Sequence, residues 1–548
     1  MELLEVKDSL ARHWLAALCI CSGRCVMAAG GGAESRAWSE QFAQSVLEWL
    51  HVPEADWADL RAMPHGDAAN DMALLMLRCM RSDGEAAEAG AGASVSLKVA
   101  SDPDRLAAGL VLACLGLGSV QAAGGIKALA PAQAGTLPPL EYDARSRAAA
   151  FAVCAWLDLP SQLVGAHEAL VAGRLERAAG SGQLGDASAR ALNDDRRRKW
   201  GWGKRLAAGA GVVVAGTLVG VTAGLAAPLM AAGLGAVGIG GLGFLATGGG
   251  AAMVGSLLGV AGGGVAGQRF NTRLRGLREF YFTQLARGHT LHATVLVPGF
   301  LDAAAAASPF APVRGAMGLD LGDAYTLYFE PAELAALQGA VSRFVSSSAR
   351  SAAVSAVLAQ TALAGLLGAF TWPLAVLKLG QLIDSPWAVG IERARRAGRL
   401  LADVLESHAH GTRPVTLVGY SLGALAVTTC LQELHSRRAF GVVETAVLLG
   451  VPADSTAAAA WVACCHCVSR RLIIGHSRSD WVLAFLFRAS SLCVRLAGLE
   501  GLAPAALFPD SPLMRRKIVN VDLGDIVSQH ADYLGRLDDI MLEVSRHL

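Results

Sequence analysis

The chain has 548 residues and a formal net charge of +1, with 53% of its residues hydrophobic and 17% charged. Its length allows about three domains, and its charge content lies well below the roughly 25% of an average soluble protein, which points towards a membrane. A near-zero net charge without a long basic array argues against nucleic acid as a partner.

The first 200 residues predict an all-α helical domain. Apolar residues recur at helical spacing in five segments, residues 40–50, 69–80, 104–117, 144–157 and 164–179. Residues 106–126 lack charge, but Gly, Ser and Gln interrupt them, so we expect a buried helix there and not a membrane span. The opening residues MELLEVKDSLARHW do not resemble a signal peptide, and the eleven scattered cysteines predict reduced thiols.

Residues 206–268 give the clearest membrane signal, because these 63 residues include no charged side chain. At about 20 residues per span, the segment is long enough for two or three helices. Basic residues flank it on both sides, at 196–199, 204 and 205 and at 269, 273, 275 and 278. The positive-inside rule places both flanks in the cytosol and favours an even number of spans. We therefore expect a glycine-rich transmembrane helical hairpin at 201–270, in an integral membrane protein whose carboxyl-terminal domain faces the cytosol.

After this segment, β-rich runs alternate with helical ones. Six such runs occupy residues 292–297, 324–329, 414–418, 442–449, 471–474 and 517–521. Strands separated by helices predict a mostly parallel sheet, so residues 271–548 are expected to form an α/β-hydrolase-like domain.

A helical insertion is expected within that domain, at residues 351–412. Its charge-free part, residues 351–377, predicts either a buried helix pair or a lid over the active site. Residues 387–405 predict an amphipathic helix with arginines on its polar side.

The sequence TLVGYSLGALAV at 416–427 contains the Gly-x-Ser-x-Gly pattern of a nucleophile elbow. With 63 glycines in the chain, the pattern arises by chance about 0.5 times, so its context has to decide. A short β-rich run precedes the motif and an alanine-rich, helix-forming run follows it, as a strand, sharp turn and helix require. Ser421 is therefore predicted to be a nucleophile, and the alternative is an ordinary strand-to-helix turn.

Serine becomes a good nucleophile when a histidine takes its proton and a carboxylate orients that histidine, here in the chain order Ser, acid, His. Asp480 follows a predicted strand in a polar loop and is the favoured acid; Asp454 and a simple N-cap role for Asp480 are the alternatives. His530 follows the last predicted strand and is the favoured base, with His476 or a surface role for His530 as the alternatives.

An oxyanion hole needs two backbone donors. Leu422, directly after the nucleophile, is expected to supply one, and either Phe300 or Leu301 the other, from the turn after the first strand of the core. Gly299 permits close approach of backbone to substrate, whereas Pro298 has no N–H to donate.

No metal or organic cofactor is required by these residues. The sequence CCHC at 464–467 holds metal-binding residue types. Neighbouring ligands cannot easily wrap one tetrahedral zinc, however, and no second pair lies nearby at zinc-finger spacing. We expect no metal there.

Several motifs together resemble the transmembrane and coiled-coil domain-containing protein 4 family, also called the domain of unknown function 726 family. They are YDARSRAAAF, the glycine-rich segment, LVPGFLD, LVGYSLGA, HSRSDWVL and VNVDLGDIVSQHADY, which run from about residue 141 to the end. The resemblance implies a membrane-anchored α/β-hydrolase-like protein, and it places Ser421, Asp480 and His530 at matching motif positions.

The sequence thus favours a membrane-anchored serine hydrolase that cleaves an ester, with a lipid as its substrate and the bilayer as its partner. The chemistry comes from the predicted triad, and the lipid from the anchor and the apolar residues 351–377. The alternative is a catalytically silent membrane-anchored scaffold or trafficking adaptor that keeps the fold, because a fold does not fix a function. A pore is disfavoured, because no charged or polar ring lines residues 206–268.

Overall fold

The computed structural model describes residues 9–26, 32–87, 103–115, 142–180, 277–301 apart from 278 and 287, 322–348, 387–406, 410, 413–484 and 495–547. The predicted hairpin at 201–270 and the charge-free residues 351–377, for which a buried helix pair or a lid is predicted, lie outside these residues. Among the helices that the structure does describe, none is both long and apolar enough to cross a membrane.

The amino-terminal part is helical, and its helices enclose an apolar core of their own. They are α1 Ser9–Val26, α2 Ala33–Trp49, α3 Trp57–Arg61 after a short 3-10 turn, α4 Asp67–Ala87, α5 Pro103–Cys114, α6 Ala144–Trp156 and α7 Gln162–Gly180. The five helices predicted from apolar spacing are confirmed as α2 and α4 to α7, whereas α1 was not predicted. Every residue of α5 from Leu106 to Cys114 is buried, which confirms a buried helix for the first part of residues 106–126, whereas 116–126 lie outside the described residues.

The carboxyl-terminal part contains a seven-stranded sheet. Its strands are β1 Phe280–Ala286, β2 Ala293–Val297, β3 Asp323–Phe329, β4 Val415–Tyr420, β5 Val443–Leu449, β6 Val468–His476 and β7 Ile518–Asp522. They lie in the order β1-β3-β2-β4-β5-β6-β7. All neighbouring pairs are parallel except β1 with β3. The six predicted strands and the mostly parallel sheet are confirmed, and β1 is an additional antiparallel edge strand.

Helices pack around this sheet and bury its central strands. They are α8 Pro331–Ser348, α9 Ala388–Glu406, α10 Leu422–Ser436, α11 Ala458–Cys467, α12 Ala497–Glu500, α13 Pro504–Leu507, α14 Pro512–Lys517, α15 Asp532–Gly535 and α16 Leu537–Ser545. Every residue of β2, β4 and β5 is buried, as expected for parallel strands covered on both faces. The predicted amphipathic helix is confirmed as α9, which buries Ala394 and Leu401 while Arg396 pairs with Glu392 on its outer side.

The YDARSR motif joins the helical part to the sheet. Asp143 accepts a hydrogen bond from the Arg145 backbone N–H and caps α6, and the Ala144 N–H donates to the carbonyl of Gly441, just before β5. Arg147 extends from α6 to β5, where its guanidinium pairs with the buried carboxylate of Glu444. The motif therefore places α6 against β5 and β6, so the two parts of the described chain are in direct contact.

Candidate active site

Ser421 lies on a sharp turn between the central strand β4 and helix α10. Its φ of 55° and ψ of −124° are a strained conformation for a residue with a side chain. Two glycines make the turn possible: a Cβ at Gly419 would lie 2.6 Å from the Cα of Ala424, and one at Gly423 would lie 1.9 Å from the carbonyl oxygen of Val297. The turn thus has the strand, strained serine and helix geometry of a nucleophile elbow.

His530 lies in the loop between β7 and α15. The carboxylate of Asp532 holds this loop by accepting hydrogen bonds from the backbone N–H groups of Ser528 and Gln529, at 2.9 and 3.0 Å. Partial burial raises the pKa of Asp532, but the hydrogen bonds from Ser528 and Gln529 outweigh it and leave this pKa below its usual range. These bonds therefore hold the loop, and with it the backbone of His530, in position.

Asp480 lies in the loop that follows β6. Its Oδ1 accepts a hydrogen bond from the N–H of Leu483 at 3.1 Å, so the carboxylate also caps the short helical turn after it. In the same loop, the hydroxyl of Ser477 donates to the carbonyl of Val527 at 2.7 Å. That bond connects the loop carrying Asp480 to the loop carrying His530.

The structure brings the three predicted side chains into one hydrogen-bonded chain. His530 Nε2 lies 2.7 Å from Ser421 Oγ, and His530 Nδ1 lies 2.6 Å from Asp480 Oδ2. All three side chains are buried, with 1% or less of their surface exposed. In this arrangement the imidazole can accept the serine proton at Nε2 while the carboxylate orients Nδ1–H and stabilises the cation that forms.

The alternative acid and base lie outside this hydrogen-bonded chain. Asp454 follows β5, and its Oδ1 accepts hydrogen bonds from the backbone N–H and the hydroxyl of Thr456, at 2.8 and 2.7 Å. His476 is the last residue of β6, and burial is the largest cause that lowers its pKa. Neither takes the place of Asp480 or His530 in the chain to Ser421.

The predicted oxyanion donors lie beside the serine. Leu422 is the first residue of α10, so its N–H has no acceptor within the helix and lies at the positive end of the helix dipole. The turn after β2 approaches it closely, since a Cβ at Gly299 would lie 2.3 Å from the Leu422 nitrogen and 1.9 Å from that of Gly423. Phe300 and Leu301 follow in this turn and are buried.

Three aromatic rings surround His530, of which Phe300 was predicted from the sequence only as a backbone donor and the two tyrosines were not singled out. The ring centroids of Phe300, Tyr420 and Tyr533 lie 5.1, 5.8 and 5.8 Å from that of His530. Tyr420 lies within the Gly-Tyr-Ser-Leu-Gly motif and Tyr533 three residues after His530. Aromatic residues next to a motif are more often ordinary core residues, and proximity in sequence was the only signal that pointed to them.

Within the part of the chain that the structure describes, no group of three or more His, Cys, Asp and Glu side chains is arranged to hold a metal ion. The CCHC segment lies at the end of α11, and its three cysteines are buried in the core. Burial raises the pKa of Cys465 and Cys467 to about 12, so both are neutral thiols at physiological pH.

Comparison with known proteins gives a family match over much of the chain. A family described as "Protein of unknown function (DUF726)" matches residues 198–547. "Uncharacterized membrane protein F35D11.3" of Caenorhabditis elegans is 35% identical over 335 residues, 61% of this chain and 53% of that protein. "Transmembrane and coiled-coil domain-containing protein STS1" of Oryza sativa subsp. japonica is 33% identical over 421 residues, which are 73% of this chain and 60% of that protein. "Probable lipase MIL1" of Saccharomyces cerevisiae is 34% identical over 235 residues, which are 42% of this chain and 21% of that protein.

The chain spans 53% and 60% of the length of the first two of these relatives. No solved structure matches it. The family match covers well over half of the chain and includes Ser421, Asp480 and His530. The chain therefore belongs to the DUF726 family, the family that its motifs resemble.

Proposed function

We propose that this protein is a membrane-anchored serine hydrolase that cleaves the ester bond of a lipid. The observation that carries the proposal is the hydrogen-bonded chain from Ser421 Oγ through the His530 ring to Asp480, at 2.7 and 2.6 Å. Three buried polar side chains that follow three different strands meet at these distances, which is the arrangement that nucleophilic catalysis by serine needs.

The reaction follows from this geometry. Ser421 Oγ attacks the acyl carbon while its proton passes to His530 Nε2, and the N–H of Leu422 with that of Phe300 or Leu301 stabilises the oxyanion. His530 then protonates the departing alcohol, which leaves an acyl-enzyme. Water, deprotonated by His530, attacks the acyl carbon; the bond to Ser421 Oγ then breaks, His530 returns the proton to that oxygen, and the acid is released. No metal or organic cofactor takes part.

The sheet supports an α/β-hydrolase-like fold. Its order β1-β3-β2-β4-β5-β6-β7, with only β1 antiparallel, places the serine turn at the carboxyl end of the central strand β4. The acid follows β6 and the histidine follows β7, in the chain order Ser, Asp, His of that fold. We propose residues 271–548 as this domain, with 351–412 as a helical insertion, and residues 1–200 as a helical domain with its own core.

The membrane and the lipid rest on other observations. Residues 206–268 carry no charge and have basic flanks, which supports a hairpin anchor at 201–270 with the hydrolase domain in the cytosol. Relatives named as membrane proteins and one named as a probable lipase support a lipid substrate. An anchor of this kind holds the serine near insoluble esters, which concentrate in a bilayer.

The test is ester hydrolysis by the full chain purified in detergent, using p-nitrophenyl esters of increasing acyl length and then phospholipid and triacylglycerol. We expect turnover that rises with acyl length and is lost in Ser421→Ala. Ser436→Ala is the matched control, because Ser436 is an exposed serine at the end of the same helix α10. Folded wild type that hydrolyses none of these esters would contradict the proposal and favour the scaffold.

A further inference from the structure

The aromatic rings around His530 form a cage with three sides. Phe300 meets the imidazole nearly edge-on, with an interplanar angle of 81°; the angles are 70° for Tyr533 and 37° for Tyr420. The two tyrosine rings also contact each other, with centroids 5.8 Å apart. We call Phe300, Tyr420 and Tyr533 the aromatic cage. Phe300 lies in the turn after β2, Tyr420 is the last residue of β4 and Tyr533 lies in α15, so all three elements must be in place for the cage to close.

The backbone makes room for Tyr533 in a specific way. Gly450 follows β5 with a φ of +54°, and a Cβ there would lie 2.8 Å from Tyr533 Cε2. A side chain at position 450 would therefore be strained in its backbone and would also push the tyrosine ring away. One residue earlier, the carbonyl of Leu449 accepts the N–H of Ser421 at 2.9 Å. Tyr533 thus lies between the strand end that holds the serine turn and the ring of His530.

The tyrosine hydroxyls do not explain why the rings are there. Both side chains are almost completely buried, and neither hydroxyl has a hydrogen-bond partner within the described residues. Burial raises the pKa of both phenols well above its usual range, and the charge of Asp480 adds to the rise. A buried hydroxyl without a partner destabilises the folded state, so the packing of the two rings must outweigh the cost of burying their hydroxyls.

We propose that Tyr420 and Tyr533, together with Phe300, are positioning residues that hold the His530 ring in its productive orientation and exclude water from the Asp480–His530 pair. This proposal rests on the proposed hydrolase function. The two triad hydrogen bonds hold the two ring nitrogens of His530 but leave the ring free to rotate about the line that joins them. Aromatic rings packed on three sides remove that freedom. Exclusion of water strengthens the charge-assisted bond to Asp480 when His530 becomes a cation.

The cage acts on the chemical step and not on substrate binding, because its rings contact the histidine. Removal of one ring should therefore lower kcat with little change in KM. Small displacements of a reacting group have large effects, up to about a hundredfold in rate for a misplacement near 1 Å. Loss of one of three rings should lie below that limit, at about tenfold.

The experiment compares Tyr533→Leu with Tyr533→Phe in the full chain, with kcat and KM measured on a p-nitrophenyl ester. Each kcat is divided by the fraction of molecules that a fluorophosphonate probe titrates, so that unfolded protein does not count as slow enzyme. We expect Tyr533→Leu to lose about tenfold in kcat with KM within about twofold, and Tyr533→Phe to rescue most of the loss. Tyr420→Leu and Tyr420→Phe should repeat the pattern. Tyr281→Leu is the control, because Tyr281 stacks on Tyr328 at the sheet edge and does not contact His530.

The outcomes separate this proposal from the proposed function. An active wild type whose Leu variants keep their kcat per titrated site would overturn the positioning role while leaving the hydrolase intact. A Phe variant that loses as much as the Leu variant would also overturn it, because the hydroxyl would then carry the effect. A folded wild type that neither hydrolyses esters nor reacts with the probe would overturn the proposed function and the cage with it.

Discussion

At the scale of single residues, Ser421 combines strain with deep burial. Its positive φ aims the side chain at His530, and the triad partners come from loops tied to each other by the bond from Ser477 to Val527. The three triad residues could be predicted from chain order and strand ends, although their catalytic role stays a prediction. The aromatic cage could not, because tyrosines beside a motif look like any other core residue in sequence.

The strain at Ser421 predicts that two inactive variants, Ser421→Ala and Ser421→Gly, differ in stability. Alanine at this position keeps the unfavourable φ of 55°, whereas glycine relieves it. We expect the free energy of unfolding of Ser421→Gly to exceed that of Ser421→Ala by about 1 kcal/mol. Chemical denaturation of both variants checks this, and a glycine variant no more stable than the alanine variant would show that the turn is not strained.

Replacing the carboxylate of Asp480 by an amide tests whether it is the acid of the triad. Asp480→Asn keeps the shape of the side chain but no longer compensates a positive charge on His530, so fluorophosphonate labelling of Ser421 should slow by about a thousandfold or more. Asp454→Asn is the matched control and should label at the rate of wild type, because Asp454 bonds to Thr456. Equal slowing in both variants, or none in Asp480→Asn, would remove Asp480 from the triad.

At the scale of elements, the periodic patterns predicted the buried strands and the amphipathic helices well. β2, β4 and β5 are continuous apolar runs, and α9 has one apolar face. β1 was missed because it is a partly buried edge strand whose sequence, FYFTQLA, lacks a continuous apolar run. α1 was missed because its apolar residues are interrupted by small and polar ones, and only packing against α2, α4 and α6 decides that it is a helix.

The turn between β4 and α10 is packed so closely that one methyl group added at Gly423 should lower the stability of the protein. A Cβ at Gly423 would lie 1.9 Å from the carbonyl oxygen of Val297, which belongs to the neighbouring strand and cannot move alone. We expect Gly423→Ala to lower the free energy of unfolding by about 3 kcal/mol or more. Gly165→Ala is the control, because nothing lies within 4 Å of its added Cβ inside α7, and it should raise the stability by roughly 0.5–1 kcal/mol. Thermal denaturation checks whether Gly423→Ala is less stable and Gly165→Ala more stable than wild type.

At the scale of the whole molecule, two apolar cores meet through buried charges. Arg147 pairs with Glu168 at 2.7 and 3.0 Å within the helical part and with Glu444 on β5 of the sheet. Tyr142 donates to Glu168 at 2.5 Å, so the first and last polar residues of YDARSR serve one network. The sequence showed the motif but not its purpose, because its partners lie as many as 297 residues away. The predicted hairpin lies outside the described residues and stays a prediction from composition.

Removal of Arg147 should take the closest cation from two buried carboxylates: Glu168 loses both of its bonds to the guanidinium, and Glu444 keeps the weaker pair with Arg470, at 3.5 Å. We expect Arg147→Met to lower the free energy of unfolding by about 3–5 kcal/mol, the usual cost of breaking a buried ion pair from one side. Arg546→Met removes an exposed pair with Glu543 and should cost at most about 1 kcal/mol. Denaturation midpoints of the two variants check this, and equal midpoints would mean that the network contributes little.

The same network predicts a dependence of stability on pH. His292 is buried with its Nε2 2.9 Å from the hydroxyl of Thr416 and 3.6 Å from Glu444. Burial first, and then the charges of Arg147, Arg413 and Arg470, lower its pKa well below the usual value.

In the unfolded chain His292 takes up a proton near pH 6.5, whereas the folded chain resists it, so the unfolded state binds more protons below that pH. Stability should therefore fall as the pH drops from about 7 to 5, and His292→Gln should flatten that fall. Melting temperatures across this range provide the measurement. Identical slopes in wild type and variant would exclude His292 as a cause.

The most direct test of the central claim, that His530 and Asp480 activate Ser421, is fluorophosphonate labelling of the detergent-purified full chain followed by mass spectrometry of its peptides. We expect one modified residue, Ser421, within the peptide that contains GYSLG. Labelling should be abolished in Ser421→Ala and strongly slowed in His530→Gln, but unchanged in His476→Gln. Folded wild type that stays unmodified, or is modified at another serine, would contradict the claim.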